Sequence, residues 1–404
     1  MQTKKTKKNM MHMTHITTIT NRGENTLHYF DNAATSWPKP EVVYATHDRI
    51  LRQAGNAGRG VNRASLQAGR GLLFTRKSLS ALFGITDSER IVFTQNVTEA
   101  LNVGLQGLLK PGDHVLISSL EHNAVVRPLE YLKAKGVSYT AVPCSHDGLL
   151  TIDDVEACIQ QNTRLFCFTH ASNVLGRILP IAELGQVAKK HNCLFMVDAA
   201  QSAGVIPIHV DTMQIDFLAF TGHKSLMGPQ GVGGFYTRPG LKINPLIFGG
   251  TGLHSLTLEQ PDTWPEGMES GTRNTPGIAA LGSSVDFILN EGLDKIRKHE
   301  LDLMSLLLEG LRAIPEIRIL GPDDPKLRVG LVSCIFNHFT PDEVALELDH
   351  RFDIVTRSGL HCAPLAHRTA GTIDQGALRI SLNYFQNDDD IRGLLDALKA
   401  IVGG

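Results

Sequence analysis

From about residue 40 onward, short apolar runs alternate with longer stretches in which apolar residues recur at helical spacing. The runs Arg90–Thr94, His114–Ser118, Arg164–Thr169, Leu194–Val197, Phe217–Phe220 and Val232–Tyr236 predict strands. A short apolar run bounded by polar residues suits a strand covered on both faces. Ser65–Phe83 and Val97–Leu109 read as helices, with further helical stretches between most of the strands. The pattern predicts an α/β fold with a mainly parallel sheet flanked by helices. Ligands of such sheets sit at the carboxyl ends of the strands.

A helical segment over Gly277–Ile314 leads into a different pattern. Strands near Ile317–Leu320, Gly330–Phe336 and Leu378–Leu382, a helix after Thr340 and a last helix from Asp388 predict a small α+β unit. The expected division is a large domain over residues 26–280, whose first residues pack on the small one, and a small domain over 281–404. Residues 1–25 are polar, with Lys4, Lys5, Lys7 and Lys8 and no apolar core of a secretory signal, and read as a disordered tail. Gly249–Thr275, rich in Gly, Thr and Pro, reads as a long functional loop.

Composition narrows the classes. The chain has 404 residues, 42% hydrophobic and 20% charged, with a formal net charge of −2. That gives no basic field for nucleic acid. No apolar run approaches the ~20 residues that span a bilayer. The six cysteines (Cys144, Cys158, Cys167, Cys193, Cys334, Cys362) show no paired spacing, which argues against a disulfide framework or a zinc site and fits a reducing cytoplasm.

Two strand ends carry candidate chemistry. The run Leu194–Val197 ends at Asp198, and Ile215–Phe220 delivers Thr221-Gly-His-Lys224. A lysine amine facing a carboxylate across strand ends suits pyridoxal 5′-phosphate: the amine condenses with the cofactor aldehyde, and the carboxylate keeps the pyridine nitrogen protonated. Either residue alone is more often exposed; the pairing reverses those odds. Thr98, in the first turn of a helix that follows a strand, sits where free N–H groups and the helix dipole favour a phosphate, or is simply a cap. Arg379 falls within a predicted strand, where an unpaired charge is costly, and is the candidate for a bidentate grip on a substrate carboxylate. Arg357 and Arg59 are weaker candidates.

Asp198-Ala-Ala-Gln201, Thr221-Gly-His-Lys224, Arg357-Ser-Gly-Leu-His-Cys362-Ala-Pro and Asp31-Asn-Ala-Ala-Thr-Ser36 together resemble the signatures of cysteine desulfurases and selenocysteine lyases. These form part of the class V aminotransferase group of fold-type I pyridoxal phosphate enzymes, and the resemblance runs from about Tyr29 to the end. It implies a large parallel-sheet domain with a smaller C-terminal one, a homodimer, and L-cysteine or L-selenocysteine as substrate. It also implies a sulfur-acceptor protein such as those of iron–sulfur cluster assembly. Thr221 and His223 become phosphate donors. Thr272 becomes a donor to the phosphate of the neighbouring subunit. His122, with a pKa near neutrality, becomes a ring that stacks on the pyridine and moves protons. Gln201 and Asn173 become partners of the phenolic oxygen, with the substrate carboxylate as an alternative for Asn173, whose plain reading is a turn residue.

Cys362 separates the readings. Transamination needs no thiol, whereas taking sulfur from cysteine needs a nucleophile for the sulfur atom. A polar-flanked loop predicts an exposed, mobile arm, and the adjacent His361 is expected to help ionise the thiol. Leu360 stands where many of the desulfurases that the chain resembles carry a second histidine, and His367-Arg-Thr-Ala-Gly-Thr372 also departs from the best-known members. The favoured expectation is a cysteine desulfurase. A selenocysteine lyase, a thiol-independent aminotransferase or β-eliminase, and a non-enzymatic sulfur carrier with a dead site stand beside it.

Overall fold

The computed structural model describes residues 27–57, 62–252 and 256–403; the predicted N-terminal tail and Arg59 lie outside them. A seven-stranded sheet runs, edge to edge, Ile91–Thr94, Gly233–Thr237, Phe217–Thr221, Leu194–Asp198, Thr163–Thr169, His114–Ser118 and Ser138–Val142. Only Gly233–Thr237 runs against its neighbours; the other pairings are parallel.

Alternation within each strand splits the core in two. Phe166 and Phe168 pack with Phe195, Val197, Leu218 and Phe220 on one face, while Leu165 and Cys167 pack with Met196, Phe217 and Ala219 on the other. Burial on both faces is why these strands read as continuous apolar runs rather than alternating ones. The edge strand Ser138–Val142 is mostly half-exposed and gave no such run. Helix Val97–Leu108 lies close on the sheet at Gly104, where a Cβ would stand 2.4 Å from Met196 Cε.

The helical segment predicted over 277–314 is two helices, Thr275–Glu291 and Leu293–Arg312, broken at Gly292 with φ +86°. They lead into an antiparallel sheet ordered Arg357–Gly359, Ala377–Ser381, Leu331–Phe336, Ile317–Leu320. Its core includes Met304, Val332, Leu348, Ile380 and Leu394. Helix Pro341–Phe352 is closed by a capping box between Thr340 and Glu343. Phe30 is buried in this second core, and His28–Tyr29 pairs with Ile354–Val355, so the chain's first described residues are tied to its last third. Among the described residues no helix is long and apolar enough to cross a membrane.

Candidate active site

Leu194–Asp198 and Phe217–Thr221 are neighbouring parallel strands with Asp198 opposite Ala219. Both end at the same edge of the sheet, and Lys224 follows in a turn closed by Met227 N donating to its carbonyl at 2.7 Å. A cavity of about 210 Å³ opens there. It is lined by Asp198, Thr221 and Lys224 and also by Thr98, His122, Asn173, Gln201 and His223. One edge of one sheet thus gathers eight residues read from five separate stretches of the chain.

Thr98 occupies the second position of helix Val97–Leu108, and the cap is Asn96, whose side chain accepts from Glu99 N at 2.9 Å. The capping alternative for Thr98 is therefore set aside, and Asn96, Val97 and Thr98 at the helix start line the cavity. Thr221 Oγ1 and His223 Nδ1 are buried without a hydrogen-bond partner. Two unpartnered polar atoms beside a helix N-terminus suit an anion.

Asp198 is buried, and burial raises its pKa despite the Ala200 N–H that it accepts at 2.9 Å. Burial also brings the Lys224 amine down to about 8; Asp198 opposes that shift, and Arg379 and Arg357 reinforce it. The two groups form no direct ion pair, so each feels the other across the cavity. His122 caps helix Asn123–Lys133, its Nδ1 accepting from Ala124 N at 3.0 Å, which places the neutral ring's proton on Nε2. Burial and then the nearby Lys224 bring its pKa down to about 4. The expected near-neutral titration of His122 is thereby corrected: the ring is neutral at physiological pH.

The small sheet supplies the other wall. Arg379, almost fully buried, donates to Asp31 Oδ1 at 2.8 Å and to the Asn173 carbonyl at 3.2 Å, and its Nε has no partner. The strand arginine is thus paired, by a residue 348 positions away in sequence. Arg357 lies opposite Arg379 in the sheet register and is exposed. Asn173 spends its side-chain N–H on the His361 carbonyl at 2.7 Å, and Gln201 donates to the Ala33 carbonyl at 3.1 Å. Ser36 N reaches the His223 carbonyl at 2.8 Å, so the segment from Asp31 to Ser36 ties the small sheet to the lysine turn.

Cys362 is exposed, in residues 360–363 between strand Arg357–Gly359 and helix Pro364–Thr369. Its carbonyl accepts from Asn123 N at 2.8 Å, which sets the loop against His122. The loop is short, and its backbone carbonyls accept hydrogen bonds on both sides, from Asn123 and Asn173. His361 turns its ring nitrogens toward the Arg357 carbonyl and His367, and burial lowers its pKa to about 3. The expectation that it ionises the thiol is therefore not met. Thr272 lies apart from the Lys224 cavity, lining a second one of about 400 Å³ with Arg76, Glu269 and Arg273.

Two site residues escaped the sequence reading. Asp31 was quoted only as part of a motif. Glu121, next to His122, is fully buried and accepts from Ser118 Oγ at 2.6 Å and Thr169 N at 2.9 Å; burial lifts its pKa to about 8. An acid directly before the candidate histidine, at the end of an apolar strand, was the available signal.

A parallel sheet with a lysine and an aspartate at its carboxyl edge, closed by a small antiparallel sheet, matches known proteins closely. The model of the aminotransferase class-V family matches residues 28–394, and the chain belongs to that family. A probable cysteine desulfurase of Methanothermobacter thermautotrophicus is 32% identical, covering 93% of this chain and 95% of the relative. Another from Pyrococcus abyssi is 35% identical, covering 93% and 94%. Among solved structures, the apo cysteine desulfurase of Thermococcus onnurineus superposes with a TM-score of 0.89 at 33% identity, covering 94% and 95%. The cysteine desulfurase CsdA of Escherichia coli gives 0.83 at 26%, covering 93% and 95%.

Proposed function

We propose that this chain is a pyridoxal-5′-phosphate-dependent cysteine desulfurase that takes sulfur from L-cysteine onto Cys362 and releases L-alanine. The observation that carries this reading is the exposed thiol loop, hydrogen-bonded to Asn123 one residue beyond His122, at a cavity holding Lys224 and Asp198. A thiol-independent aminotransferase has no use for that loop.

The residues fit the cofactor. Unpartnered Thr221 Oγ1 and His223 Nδ1, with the N–H groups that begin helix Val97–Leu108, complement a phosphate. Lys224 is the amine for the aldehyde, and Asp198 the carboxylate for the ring nitrogen. When bound, the cofactor supplies an electron sink for the substrate's Cα carbanion. Asp198, kept off any direct ion pair with Lys224, holds the proton at the ring nitrogen. Arg379, steadied by Asp31, offers its free Nε to the substrate carboxylate. The Lys224 amine, its pKa lowered toward neutrality, takes the Cα proton. The Cys362 thiolate then attacks the substrate sulfur. A sulfur–sulfur bond forms as the substrate Cβ–S bond breaks, and the electron pair stays with carbon, which takes up a proton and leaves as the methyl group of alanine. L-cysteine and a thiol become L-alanine and a persulfide, with no outside oxidant.

A homodimer with Thr272 reaching the partner's phosphate belongs to the same reading. Its support is that Thr272 lines a different cavity from Lys224, together with exposed Leu66, Leu73 and Phe74 on helix Arg63–Phe83. Six free cysteines suit a reducing cytoplasm, and the exposed thiol suits an acceptor protein. The test is mass spectrometry after a brief exposure to L-cysteine. One added sulfur atom on the peptide containing Cys362, with equimolar alanine, is expected; added sulfur on the other cysteines alone would sink the reading.

A further inference from the structure

Beneath the thiol loop lie three buried side chains that the proposed mechanism leaves unused. His361 Nε2 stands 3.2 Å from the Arg357 carbonyl. Its Nδ1 makes a long 3.5 Å contact with His367 Nε2, and His367 Nδ1 is 2.8 Å from Thr372 Oγ1. The two rings lie 14° from parallel, with centroids 5.7 Å apart. His361, His367 and Thr372 are all buried, His367 completely.

The chemistry of the partners fixes the direction at the Arg357 carbonyl and leaves the rest to the tautomer of His367. A carbonyl only accepts, so His361 carries its proton on Nε2 and presents a lone pair at Nδ1. His367 answers that lone pair when it carries Nε2–H, which leaves its own Nδ1 as an acceptor for the Thr372 hydroxyl. This assignment satisfies all three contacts with both rings neutral, and burial favours neutral rings, bringing His361 down to about 3 and His367 to about 4. The relay ends on the backbone that presents the thiol. His361 and Cys362 are consecutive residues with φ +49° and +56°, a left-handed conformation that side-chain-bearing residues disfavour and that persists where surroundings enforce it.

We propose that Thr372, His367 and His361 form a one-directional hydrogen-bond relay that holds the Cys362 loop left-handed and so aims the thiol. His367 and Thr372 are positioning residues for sulfur transfer. The inference rests on the reading of Cys362 as the nucleophile, and the competing account is a pair of histidines that merely fill the core.

The test uses the cofactor-loaded enzyme and L-cysteine. A misaimed nucleophile lowers kcat and leaves substrate binding alone, so Thr372→Val lowers kcat about tenfold and His367→Phe about a hundredfold, with KM within about twofold. His367→Gln, whose amide nitrogen replaces Nε2–H, recovers most of the loss. In protein labelled with 15N-histidine, both rings show the Nε2–H tautomer in the wild type, and Thr372→Val abolishes it for His367. Unchanged kcat in Thr372→Val and His367→Phe, or an Nδ1–H tautomer on either ring of the wild type, overturns the proposal. Should His367→Phe fail to fold, Thr372→Val carries the kinetic arm. If Cys362→Ser keeps the wild-type rate, the desulfurase reading falls by itself and the relay is decided by the tautomers.

Discussion

Asp198 and Lys224 emerge from strands in which every residue is buried, whereas Cys362 sits in a short exposed connection held by backbone and side-chain hydrogen bonds. At the sheet edge, position follows from packing: two apolar strands in parallel register leave their terminal residues no freedom. In the thiol loop, few apolar contacts are available, and the backbone is instead fixed by Asn123, Asn173 and the buried histidines. The first region tunes its groups by desolvation, since burial displaces the ionisation of Lys224, Asp198 and His122. The second leaves its thiol in water and controls direction. A site that must both hide a reaction and hand over its product combines the two.

Variants on either side of this divide have different signatures. Cys362→Ser is the most severe for sulfur transfer: alanine formation falls by at least about a thousandfold, because a hydroxyl does not replace the thiolate. The cofactor absorbance and thermal midpoint of that variant stay at wild-type values. Lys224→Ala, on the buried side, costs about 10²–10⁴-fold in turnover through lost proton transfer, and borohydride no longer fixes cofactor to the chain. A reducible covalent adduct in that variant would displace Lys224 from its role. Asp198→Asn keeps the fold and binds cofactor but loses about a hundredfold in kcat, since an amide supplies no charge to the ring nitrogen.

The pH dependence sharpens the contrast. Lys224 is protonated below about 8 and neutral above it, where an ordinary lysine stays charged to 10.5. Covalent attachment of cofactor to the apoprotein therefore accelerates as pH rises through about 8. Asp198 holds that pKa up, so Asp198→Asn moves the midpoint lower. A midpoint near 10 in stopped-flow traces would mean that the amine is not desolvated. The smallest effect is expected far from both regions: Thr340→Ala removes a helix cap and costs ~1 kcal/mol in urea unfolding without altering kcat.

The same divide explains what was legible in the sequence. Strands buried on both faces announce themselves as apolar runs, so the residues that end them, Asp198 and Thr221, were placed by local pattern alone. The half-exposed strand Ser138–Val142 and helix Glu41–Gln53 left weaker traces and were not delimited. Contacts between distant parts of the chain left none: Asp31 meets Arg379, and Ala33 meets both Gln201 and Ser381, through folding rather than proximity in sequence. The thiol loop was legible as exposed, from its polar flanks. Its hydrogen bonds were not, because they join the backbone carbonyls of His361 and Cys362 to Asn173 and Asn123, far away in sequence.

The short connection over residues 360–363 also sets the logistics of delivery. Even fully extended, a segment of that length spans only about 3.5 Å per residue, and its two ends are anchored in a strand and a helix. On the proposed function, the sulfur atom held by Cys362 has no long tether to travel on. On that function, an acceptor has to bring its own group to the protein surface beside Leu360, which is 39% exposed, so the journey belongs to the recipient.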